Sequence, residues 1–142
     1  MHEKGIRMTV KEYLRQYEEA ERIARRLKQE YEDELNYIDS IKSPLDTDGT
    51  PHGSGISRIV EQRALRLIER INKYQEAEAA AREKKHQVFD LIWNVPGLKG
   101  DILYERYINL KKWEDVADSV HLSLRQVHNL HGQVLYELKD CI

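Results

Sequence analysis

Two long stretches in which apolar residues recur three and four positions apart are separated by SPLDTDGTPHGSGIS, residues 43 to 57, and no other feature limits the fold as strongly. The segment holds two prolines and three glycines among Ser, Thr and Asp, so a helix entering it stops and the chain can reverse direction. Upstream, from the capping residue Thr9, the stripe runs through Val10, Tyr13, Leu14, Tyr17, Ala20, Ala24, Leu27, Tyr31, Leu35, Ile38 and Ile41. Downstream, from about Ser57, it runs through Val60, Ala64, Leu67, Ile71 and Tyr74, weakens through Glu78, Ala81 and Lys85, and resumes at Val88, Ile92 and Val95. Each helix has one apolar face that only a partner covers, so the two are expected to form a long antiparallel hairpin. Within it EAEAAAREKK favours helix but has little to bury, and is expected to project or to meet another subunit.

Pro96 and Gly97 break the pattern and divide the chain into a hairpin over residues 1–95 and a small module over 98–142. With 34% charged residues, 8% aromatic and three prolines, the expected class is all-α. No apolar run approaches the roughly 18 residues that a membrane span needs, and MHEKGIRMTVKEY lacks the apolar core of a signal peptide. The expected location is therefore the cytoplasm, with no membrane partner. A single cysteine, Cys141, excludes an internal disulfide and reads as an inert thiol near a fraying end.

In the module Ile102, Leu103, Tyr107 and Leu110 suggest one short helix, and Trp113, Val116, Ala117 and Val120 the inner face of a second. Leu122 falls in a turn, Ser123 caps a third helix, and Val127, Leu130, Val134, Leu135 and Leu138 face inward along it. A small residue at Ala117, an apolar turn residue and an apolar Val127 are what a helix-turn-helix needs, because its two helices cross closely at the alanine. Tyr107 and Trp113 fall on inward phases and are read as packing, as is His131-Gly132, where helices are expected to approach.

Against that motif, LYERYINLKKWEDVADSVHLSLRQVHNLHGQVLYEL, residues 103 to 138, resembles region 4 of bacterial sigma factors in its order of arginine-tyrosine pair, E-x-V-A helix, serine cap and recognition helix. WEDVA, SLRQV and LHGQVL, with DGTPHGSGIS in the upstream loop, also resemble a family of small phage proteins of Gram-positive bacteria described as late-gene transcription regulators, of the ArpU and RinA type. The resemblance implies a regulator of a phage or prophage inside a bacterial host cell, with double-stranded DNA and RNA polymerase as partners. It places Leu124, Arg125, Gln126, His128 and Asn129 on the DNA-facing side of the third helix. Chemistry fits those positions: Arg125 can fork onto guanine O6 and N7, Gln126 and Asn129 can pair with adenine, and Leu124 can meet a thymine methyl. Lys111, Lys112 and the helix N-terminus capped by Ser123 would position phosphates.

The module's charge is nearly balanced, with six Lys and Arg against seven Asp and Glu over residues 98–142. Phosphate neutralisation supplies most non-specific affinity, so one copy is expected to bind DNA weakly with a shallow salt slope, and a homodimer held by the hairpin would recover affinity. Arg58, Arg63, Arg66, Arg70 and Lys73 on the hairpin form either a solvated face, the preferred reading, or a phosphate track. The second functional class is a protein-interaction module that docks a host or phage protein through its hairpin, with DNA binding lost. His121, His128 and His131 crowd the module without an acidic or Cys partner at zinc-site spacing. Asp46-Thr47-Asp48-Gly49 lacks the carboxylates a calcium loop needs at its ends. Neither metal nor other cofactor is expected. With no nucleophile elbow and no phosphate-binding glycine loop, neither is catalysis.

Overall fold

The computed structural model describes residues 8–42 and 54–142, and most of the inter-helix loop, including Asp46 to Gly49, lies outside them. The described residues are all-α, without a strand. Helix α1 (Val10–Leu14) is followed by α2 (Gln16–Lys42), α3 (Ser54–Trp93), α4 (Gly97–Leu103), α5 (Trp113–Val120) and α6 (Leu124–Glu137). Among these residues no helix is long and apolar enough to cross a membrane.

Thr9 starts α1 through a reciprocal cap: its hydroxyl accepts from the Glu12 N–H and the Glu12 carboxylate accepts from the Thr9 N–H. The single upstream helix expected from periodicity is interrupted at Arg15. There the side-chain amide of Gln16 donates to the Tyr13 carbonyl at 3.1 Å, competing for an oxygen that the continuing backbone ladder would use. Helix α3 starts at Ser54, three residues before the expected Ser57, and runs unbroken through the weak EAEAAAREKK stretch.

The chain forms two compact units whose division is not the one expected at residues 95 to 98: residues 1–20 join 81–142, and 21–80 form the other. The physical reason is one shared apolar core. Val10, Leu14, Val88 and Ile92 bury themselves with Leu103, Tyr107, Ile108, Val134 and Leu138, so the base of the hairpin supplies a wall of the C-terminal module. Tyr13 and Tyr17 reach Gln87 and Lys85 of α3 in the same unit.

In the unit over 21–80 the helices run antiparallel, since Tyr31 meets Tyr74 while Tyr37, further along α2, meets the earlier Arg63. Ala24 and Ile38 are buried there. So is the carboxylate of Glu34, which accepts from Arg63 at 3.1 Å and Arg70 at 3.0 Å. A buried charge persists only when paired, and the two guanidiniums occupy both its oxygens.

Between α3 and α4 the chain turns at Gly97, in the left-handed region at φ +72. Gly100 is buried, and a β-carbon there would collide with the Val95 carbonyl oxygen, so only glycine permits this approach of α4 to the end of α3. After α4 the helix widens over Tyr104–Ile108 to a π turn, where Asn109 N–H donates to Tyr104 O and Lys111 N–H to Glu105 O. Leu110 ends it left-handed at φ 57.

Candidate nucleic-acid interface

The helix-turn-helix is built around four buried side chains, Ile102, Val116, Ala117 and Val127, with Trp113, Val120, Leu122 and Leu130 packed about them. Ala117 lets α5 and α6 approach as its size predicts. The turn has a specific closure. His121 is left-handed at φ 58, its N–H donates to Asp118 O, and the Leu122 N–H reaches back to Ala117 O at 3.1 Å, a pattern that satisfies the last carbonyls of α5. Ser123 then caps α6: its hydroxyl accepts from the Gln126 N–H, and the Gln126 side-chain oxygen accepts from the Ser123 N–H at 2.9 Å.

All five positions expected to face DNA are exposed on α6: Leu124, Arg125, Gln126, His128 and Asn129. Their engagement differs. Arg125 and Asn129 have no partner among the described residues, whereas the Gln126 oxygen belongs to the cap, leaving its amide as the group free to donate. The His128 ring rests against Trp113, with centroids 4.9 Å apart. Of the phosphate candidates, Lys112 is exposed, Lys111 is held at 2.8 Å by both Glu105 and the Ser119 hydroxyl, and the Ser123 hydroxyl is committed to capping. The side-chain bonds of Lys111 and Asn109 hold the Glu105 carboxyl below the usual carboxylate range.

The balanced total charge hides a segregation. Asp101, Glu105, Glu114, Asp115 and Asp118 all precede the turn, while residues 119 to 136 contain no acid at all. The exposed start of α6 thus presents Arg125 and a positive helix end in the largest acid-free stretch of the module.

Behind this face lies an arrangement that periodicity did not reveal. Arg106 lies over the Trp113 ring at 4.7 Å and donates to Lys111 O, while the His131 ring meets Trp113 edge-on at 4.6 Å. His131 is buried, and its Nε2 lies 2.7 Å from the Tyr107 hydroxyl. Tyr107 and Trp113 do pack inward, as their phase indicates, but Gly132 corrects the expectation attached to it: it is exposed, with no atom near the position of a β-carbon. The residue packed between helices is His131 alone. A polar residue on an inward phase is the signal that could have identified it.

Among the described residues no three His, Cys, Asp or Glu side chains gather as metal ligands would. In the hairpin unit Arg63 and Arg70 turn inward onto Glu34, which takes two of the five basic groups out of a continuous phosphate track. In comparisons with family models, curated proteins and solved structures, the chain matches none.

Proposed function

We propose that the protein is a sequence-specific DNA-binding transcription regulator of phage or prophage type, which lays the start of α6 in the major groove. The observation that carries this reading is the exposure of Arg125 and Asn129, without partners among the described residues, at the capped and acid-free end of a helix whose opposite face is locked against α5. Helix geometry puts the two one turn apart on the same side, the spacing at which neighbouring base edges are read. The late-gene role and a contact with RNA polymerase rest on the sigma and phage-regulator resemblance of the sequence.

The active species is a homodimer. A nearly neutral module gains little from phosphates, so two copies must share the affinity. Ile23, Leu65 and Ile68 are exposed on the hairpin unit and supply apolar surface for a second copy to cover.

The test is binding to fragments of the genome that encodes the protein, at several salt concentrations, beside Arg125→Ala. Saturable binding to one fragment, lost in the variant and weakened by salt, supports the reading. Binding no tighter than roughly 10⁻⁴ to 10⁻⁶ M on every fragment overturns it.

A further inference from the structure

Away from α6, the unit over residues 1–20 and 81–142 carries a second exposed feature. Trp93, at the end of α3, is 75% exposed, Leu98 46% and Tyr104 38%. They are not scattered. The Trp93 ring stacks on Phe89 at 5.5 Å between centroids, and Phe89 meets the edge of Tyr104 at 6.3 Å. Tyr104 and Leu98 in turn line a cleft of about 310 Å³ together with Asp101, Glu105 and Val120. The result is a continuous aromatic ledge leading into a cleft with two carboxylates.

We propose that this ledge docks a protein segment that presents an arginine or lysine beside an apolar side chain. The proposal does not depend on the DNA reading of α6. Three physical points fix the occupant.

The first is charge. Glu105 is already neutralised by Lys111, but Asp101 is exposed with no partner among the described residues, so the cleft that Tyr104 also lines keeps one unmatched negative charge. A cleft that offers both a carboxylate and an aromatic ring is the environment a guanidinium or ammonium prefers, and the wrong one for a phosphate chain. Nucleic acid is therefore not the ligand here.

The second is symmetry. A second copy docking through the same ledge would form a two-fold interface, which pairs residues of this one surface with one another. The residues that form the ledge and cleft include no arginine or lysine to meet Asp101, which makes the occupant a different chain.

The third is rigidity. An exposed tryptophan anchors a partner well when little must be ordered on binding. The two sides of the ledge are fixed to one another because Gly100 brings α4 against Val95, two residues beyond Trp93, and because the π turn starts at Tyr104 itself. The partner's apolar side chain would lie on Trp93 and Phe89, and its cation would enter beside Tyr104 and Asp101.

The experiment selects a random dodecapeptide display library on the full chain and measures the affinity of the recovered peptides for wild type, Trp93→Ala and Asp101→Lys, with thermal unfolding as the control for folding. Peptides enriched in Arg or Lys next to an aliphatic or aromatic residue, binding each variant about tenfold or more weakly, support the proposal. Their affinity for Arg125→Ala should equal that for wild type, which separates this surface from α6. The proposal is overturned if the recovered peptides show no basic enrichment or bind the ledge variants as tightly as wild type. It is equally overturned if Trp93→Ala converts a dimer to a monomer in sedimentation, since the ledge would then be a contact between copies.

Discussion

The hydroxyl of Tyr107 lies 2.7 Å from Nε2 of His131, and this one hydrogen bond ties the π turn after α4 to the middle of α6 in the interior of the C-terminal module. Burial holds the His131 ring at a pKa of about 4, with Lys11, His128 and Arg106 adding to the shift. Burial likewise pushes the Tyr107 hydroxyl up to about 12. Both groups are therefore neutral near neutral pH, and a neutral pair costs far less to bury than an imidazolium.

Stability should depend on pH in a direction set by that ring. Its folded pKa lies below the usual 6.5, so the unfolded chain takes up a proton first as the pH falls. The contribution is complete above about pH 6.5 and declines towards pH 4, by at most about 3 kcal/mol. Urea unfolding between about pH 5 and 7 should show the decline in wild type and a flatter profile in His131→Gln. A profile in the variant as steep as wild type's would count against this assignment. Tyr107→Phe, which leaves the buried ring nitrogen without its partner, should cost about 1–2 kcal/mol at neutral pH.

Two glycines in adjacent helices should respond oppositely to alanine. Gly100→Ala drives a methyl into the Val95 carbonyl, a backbone group that cannot swing aside, and should destabilise by about 2–3 kcal/mol. Gly132→Ala meets open space on an exposed helix and should stabilise by about 0.5–1 kcal/mol through helix propensity and a stiffer unfolded chain. Denaturant midpoints of the two variants decide it; equal signs would refute the local geometry.

Removing the Glu34 carboxylate should expose how the hairpin unit is held in register. Glu34→Ala leaves two guanidiniums facing each other and should cost about 1–3 kcal/mol, reduced from the cost of a fully buried pair because Arg63 and Arg70 remain partly exposed. Changing all three residues to methionine should restore most of that loss. If the triple variant unfolds as readily as the single one, the site contributes through something other than charge pairing.

On DNA, the two adjacent lysines should separate. Lys112→Ala should reduce the salt slope of binding by about one counterion, whereas Lys111→Ala should change it little, because Lys111 is already held by Glu105 and Ser119. Asn129→Ala should weaken binding at one base position by about 1–3 kcal/mol and relax preference there. The measurement is affinity against salt concentration on the selected fragment; an equal slope change for both lysines would show that the Glu105 pair opens on binding.

Much of the candidate site was legible because helical phase reports which side of a helix is wet. The exposed set at Leu124, Arg125, Gln126, His128 and Asn129 interleaves with the inward Val127, Leu130 and Val134, and a repeat of about 3.6 residues suffices to tell them apart. Phase does not report what an exposed group is bonded to. The capping oxygen of Gln126 depends on a backbone N–H three residues away and the ion pair of Lys111 on a carboxylate six residues away, across a π turn that no spacing rule announces.

The sequence by itself determined the helices, the turn between α5 and α6, and the faces that must be covered, since these follow from local propensity, capping and apolar periodicity acting within a few residues. Only the tertiary structure decided which faces cover which: Val10 and Leu14 close over Leu103 and Val134 from more than 80 residues away, Tyr107 finds His131, and Glu34 draws in Arg63 and Arg70. Periodicity states that an apolar face needs a partner but is silent on its identity, because many partners bury similar area and the choice among them rests on shape and buried polar pairing across the whole chain.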